Sequence, residues 1–125
     1  DNQRRRILSG ISGMGMCSTV YVADHDNQQD ARAAILERAA HDLAGASVSR
    51  LTIESRAGQD HHDRAVLYRA FGPMPPLSYG HLTGPEEPLL WVPDAVAWAY
   101  GRGSTWKAQL DRLGLIEAVT QVTVP

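Results

Sequence analysis

Segments of helical period and segments of strand period alternate along this chain, and that alternation limits the fold more than any other feature. Asn2 to Ser12 carries Arg4, Ile7, Leu8 and Ile11 on one side at helical spacing. Ser18 to Ala23 is β-branched and aromatic, as a strand is. Asp30 to Leu43 is amphipathic, with Ala31, Ile35, Ala39 and Leu43 in a stripe, and Val48 to Ser55 alternates as a strand. Asp60 onward reads as a helix with Val66, Leu67, Ala70 and Phe71 on its stripe. Leu77 to Leu82 is a short strand with Leu77, Tyr79 and His81 on one face. Two helices follow, at Pro88 to Gly101 and at Thr105 to Leu113 with Ser104 as its cap, then a strand from Ile116 to Val124. An order of α, β, α, β, α, β, α, α, β predicts an α/β fold, a mixed β-sheet flanked by helices. A length of 125 residues predicts a single domain over residues 1–125.

Composition removes several function classes. At 43% hydrophobic and 21% charged, the chain is an ordinary globular sequence rather than a disordered one. The longest apolar run is Leu89 to Val92, far too short to span a membrane. No basic segment leading into an apolar one opens the chain, and Cys17 is the single cysteine. Both points fit a reducing, cytoplasmic setting. The first residue is Asp1 rather than Met, as in a processed, trimmed or partial chain. A net charge of −2 means that any nucleic-acid contact relies on local basic patches; Arg4-Arg5-Arg6, the densest basic run, could grip phosphate but reads more simply as a solvated helix end.

Pro88 to Gly101 is apolar on nearly every side, the pattern of a helix covered all round, and Asp94 is its one charge. Asp94 shares a face with Leu90, Ala97 and Gly101, where a metal or phosphate could come close. It also suits the first turn of a helix, with Pro93 at the first position. Glu54 ends a strand, at the sheet end where sites collect in open α/β folds, and on pattern alone it is equally a plain solvent-facing acid. Asp24, His25 and Asp26 could ligate a metal, but Asp24-His25-Asp26-Asn27 reads better as a strand-to-helix loop with Asx-type capping residues, since no second ligand cluster at a diagnostic spacing supports a metal. In Gln59-Asp60-His61-His62-Asp63-Arg64, Asp60 reads as an N-cap with Asp63 three residues on, since neighbouring histidines on a helix point apart. A lone histidine such as His81 reads as a hydrogen-bonded structural residue. Glu86 and Glu87 could join a metal or favour the positive end of the next helix. Arg102 and Lys107 could face phosphate or serve as helix-end charges.

Three pieces in this order carry a resemblance: Leu51-Thr52-Ile53-Glu54-Ser55-Arg56, Tyr79 to Glu87, and Leu89-Leu90-Trp91-Val92-Pro93-Asp94-Ala95-Val96-Ala97. Together they resemble a group of uncharacterised bacterial proteins with a ribonuclease H-like fold, whose last core helix carries an Ala-Asp motif. A composition rich in Ala, Arg and Asp has an actinobacterial look. The resemblance implies a metal-dependent nuclease, or an inactive remnant of one, using Mg²⁺ or Mn²⁺. It places Glu54 and Asp94 as catalytic metal ligands, with Asp60 or Glu87 as a third. Arg56, Arg102 and Lys107 would then contact the phosphates of a nucleic acid. That group opens with a hairpin bearing an Asp-Glu-Ser motif, which this chain lacks. The fold is therefore expected to be incomplete at its N-terminus, or completed by a second chain or a homo-oligomer. The other expectation is a non-catalytic interaction module pairing through an open sheet edge.

Overall fold

A computed structural model describes residues 2–125. The elements are α1 (Asn2–Gly13), β1 (Ser18–Val22), α2 (Gln28–Gly45), β2 (Arg50–Glu54), α3 (Asp60–Phe71), β3 (Ser78–Leu82), α4 (Trp91–Gly101), α5 (Ser104–Arg112) and β4 (Ile116–Gln121). The class is α/β, as the alternation predicts. The single mixed sheet is not: among the described residues the strands form two parallel pairs, β1 with β4 and β2 with β3. Periodicity marks a strand and its faces, but the choice of partner is a tertiary contact that it does not encode.

The chain divides into two compact units. One holds the chain up to Val20 together with Pro88–Thr120; the other holds Tyr21–Glu87 and Gln121–Pro125. In the first, α4 packs against α1 and α5. Its core is Leu8 and Ile11 of α1, Val96 and Ala99 of α4, Leu110 of α5, and Leu115. The end of α5 is fixed by Gly114, whose φ of 67° a side chain would strain. Leu115 N then donates to Leu110 O at 3.1 Å, and both leucines are fully buried. This is the glycine stop with hydrophobic contact that Gly114-Leu115 announces in the sequence. Ser104 is the first residue of α5 rather than its cap; Gly103 holds the cap position.

The helix α4 corrects one expectation. It is not covered all round: Val96 and Ala99 are buried, while Trp91, Pro93, Asp94 and Ala97 are exposed. An apolar composition does not by itself bury a helix, since apolar atoms make up much of any protein surface. Asp94 stands in the first turn, where its charge favours the helix dipole. Pro93 is the third helical residue, and its missing N–H would have lacked an intrahelical partner there anyway.

In the second unit, β2, α3 and β3 form a βαβ run. The strands pair in parallel, with Arg50 opposite Ser78, Ile53 opposite His81 and Glu54 opposite Leu82. Helix α2 packs on α3. Ala31 and Ala40 of α2 and Val66 and Leu67 of α3 are buried; the alanines allow a close approach. Asn27 caps α2, its side chain accepting from Asp30 N at 3.1 Å, and His25 Nδ1 accepts from Asn27 N at 3.1 Å. The Asp24-to-Asn27 stretch is thus the capping loop that the sequence implies. Replacing Asn27 with Ala leaves a first-turn N–H without its acceptor, and should lower stability by about 1 kcal/mol in a urea titration.

No helix among the described residues is long and apolar enough to cross a membrane.

Candidate metal centre

Residues paired across a parallel ladder share a face, so His81 lies on the side of Leu51, Ile53 and Tyr79. Its side chain is 6% exposed, and a buried imidazole needs partners. Helix α3 supplies one. Asp63 falls on the same stripe as Val66 and Leu67, at i, i+3 and i+4, and is itself 2% exposed. Its Oδ2 lies 3.0 Å from His81 Nε2. From α2, Arg32 grips the same carboxylate with two parallel bonds, Nε to Oδ1 at 2.9 Å and Nη2 to Oδ2 at 2.8 Å. A fork of this kind is among the stronger polar contacts in proteins. Gln59 Nε2 adds a long contact to Oδ1 at 3.5 Å.

Burial pushes the Asp63 carboxyl upward. The hydrogen bonds from Arg32 and His81, the Arg32 charge and the Gln59 contact pull it down further, to about 2. Asp63 is therefore an anion at neutral pH.

Asp60 stands one turn earlier at the start of α3. It is the first helical residue, with Gln59 in the cap position and making no side-chain cap bond. The Asp60 carboxylate turns back to the loop after β2, accepting from Ser55 Oγ and, at 2.8 Å, from Arg56 N. These two bonds hold its pKa below the ordinary carboxylate value. The capping arrangement expected of Asp60 and Asp63 is absent: one carboxylate braces a loop and the other is buried against Arg32 and His81.

Asp60, Asp63 and His81 each offer a ligand atom, and these atoms lie within 4.8 Å of one another. They sit at the carboxyl ends of β2 and β3, where α/β folds place their sites. Beside them a cleft of about 420 Å³ is lined by Gln28, Gln29, Arg32, Arg56, Ala57 and Gln59. It offers two guanidinium groups and three amides, chemistry that suits an anion with several acceptor oxygens.

The other candidates lie as follows. Glu54 ends β2, half-buried, with Oε1 3.9 Å from Arg56 Nε, and its carboxylate is not one of the three. Glu87 closes the loop after β3, its N–H bonded to Thr83 O. Asp94, Arg102 and Lys107 belong to the other unit, on α4 and α5 and the turn between them. Asp63, His81 and Arg32 complete the centre without having been singled out as site residues. The legible signal was Asp63 on the apolar stripe of α3, where a charge needs a partner.

No protein-family model, curated protein or solved structure matches this chain.

Proposed function

We propose that the chain binds a divalent cation through Asp60, Asp63 and His81, and that it is a metal-dependent nuclease acting on a phosphodiester held in the adjoining cleft. The observation that carries this reading is the convergence of three ligand atoms within 4.8 Å. The donor set narrows the metal. Two carboxylates suit Mg²⁺ and Mn²⁺ alike, but an imidazole ligand favours Mn²⁺ or Zn²⁺. Arg32 offsets one of the two negative charges, so the affinity is modest. Asp63 has its lone pairs engaged by Arg32, Gln59 and His81, so a cation enters in place of the proton between His81 Nε2 and Asp63 Oδ2. A cation there supplies a Lewis acid to a phosphodiester. Arg56 and the outer edge of Arg32 hold phosphate oxygens, and Gln28 and Gln59 orient the chain beside them.

Calorimetric titration of Mn²⁺ tests this. The native protein should bind one ion, and Asp60→Asn and His81→Gln should each bind at least tenfold more weakly while keeping the native circular dichroism. Mn²⁺-dependent cleavage of a labelled oligonucleotide should fall with them. No binding heat, or unchanged affinity in both variants, would overturn the metal assignment. Asp94→Asn in the same titration decides whether Asp94 belongs to the ligand set, as the resemblance implies.

The Arg32 fork supports a second reading, in which this network is a structural clamp in a non-catalytic interaction module. Absence of Mn²⁺ binding would favour it.

A further inference from the structure

The first unit carries a net positive charge and the second a net negative one. Of the chain's basic and acidic residues, six Lys/Arg and four Asp/Glu fall in it, against six and ten in the other. Its cations are also placed on aromatic rings. The Arg4 guanidinium lies 3.9 Å from the centre of the Trp98 ring, with Arg102 5.4 Å from the same centre. Arg5 lies 5.4 Å from the centre of Trp106, and Lys107 4.5 Å from that of Tyr100. The two indoles meet edge to face at 4.9 Å. Arg4, Arg5, Arg102 and Lys107 are exposed, and Trp98 and Trp106 are half-buried. Among the described residues, no carboxylate forms an ion pair with Arg5, Arg102 or Lys107.

A cleft of about 380 Å³ opens beside these rings, lined by Arg4, Ile7, Leu8, Asp94, Ala95 and Trp98. Its walls are mostly apolar, and Asp94 would repel a phosphate. The cleft therefore suits a flat, uncharged ring, while the arginines outside it suit the charges that such a ring carries on its backbone. A guanidinium stacked on an indole keeps its N–H edge directed outward, held in place by the ring.

We propose that this face of α1, α4 and α5 binds single-stranded nucleic acid, with one base seated against Trp98 and Arg4, Arg5, Arg102 and Lys107 on successive phosphates. Interleaved cations and aromatic rings are what single strands require, since their bases are free to stack and their backbone is a polyanion. A duplex hides its bases and offers the rings nothing. The surface adds a binding element to the nuclease reading and uses none of Asp60, Asp63 and His81.

Tryptophan fluorescence tests it, because Trp98 and Trp106 both belong to the proposed binding face. The full chain is titrated in EDTA with oligothymidylate and oligouridylate of about 12 nucleotides, within the span of such sites. Binding with quenching is expected, and a duplex of equal length should bind at least tenfold more weakly. Arg5→Ala with Arg102→Ala, both exposed positions, should weaken binding at least tenfold. The slope of log K against log salt should become shallower by about 1.4, since each phosphate contact on a single strand contributes about 0.7. No binding, binding without quenching, equal binding to the duplex, or an unaffected double variant would each overturn the proposal. Because EDTA removes divalent cations, failure here leaves the metal centre untouched, and failure of the Mn²⁺ titration leaves this surface untouched.

Discussion

Asp63→Ala should lower the stability of this protein by about 3 kcal/mol, the low end of the cost of breaking a buried ion pair. The low end applies because Arg32 is a third exposed and water replaces part of what it loses, while Asp63 is 2% exposed. His81, 6% exposed, is not relieved by water in that way and keeps only the more distant Asp60 Oδ1, 3.9 Å from its Nε2. In a chain of this length the change corresponds to a fall in melting temperature of roughly 10 °C. Asp63→Asn keeps the shape and one acceptor, so its loss should be about half as large. A shift of under about 2 °C in the alanine variant would show that the network contributes little.

The same carboxylate sets an acid limb. Asp63 titrates at about 2 in the fold, against an ordinary value of 3.8. A depressed value means that the unfolded chain takes up the proton first as pH falls. The stabilisation is therefore complete above about pH 4 and is lost on the way down through pH 2, on the order of 2 kcal/mol in all. Urea midpoints at pH 5, 3 and 2 should fall more steeply in the native protein than in Asp63→Asn.

The second large effect belongs to the other unit. Leu110→Ala should cost about 2–5 kcal/mol, because Leu110 is fully buried among Leu8, Ile11, Val96, Ala99 and Leu115. It also supplies the apolar contact that closes the glycine stop of α5, so the helix end loosens with the core. Leu113→Ala, three residues on and half-buried, should cost about half as much. Equal losses in the two variants, measured by thermal unfolding, would mean that the cavity at 110 collapses.

The local structure of this chain was written in its sequence. The Leu8–Ile11 stripe, the Asn27 cap, the Gly114-Leu115 stop and the strand period of Leu51 and Ile53 each need only neighbours a few residues away, and each appears where its spacing put it. The α/β class followed from the same periods. What the sequence alone left open was every choice between distant segments. It could not say that β1 would take β4 and β2 would take β3, because a period of two names a face but no partner. Nor could it say that the apolar Pro88 to Gly101 stretch would leave Trp91 and Asp94 in solvent, since exposure depends on what packs against a helix. The metal-centre candidates show the same division. From their own segments Asp60 and Asp63 both read as helix-start residues and His81 as a structural one; only the resemblance puts Asp60 among metal ligands. Only packing α2 and β3 against α3 set an arginine and a histidine on one buried carboxylate, and a buried charge is explained by partners that lie far along the chain.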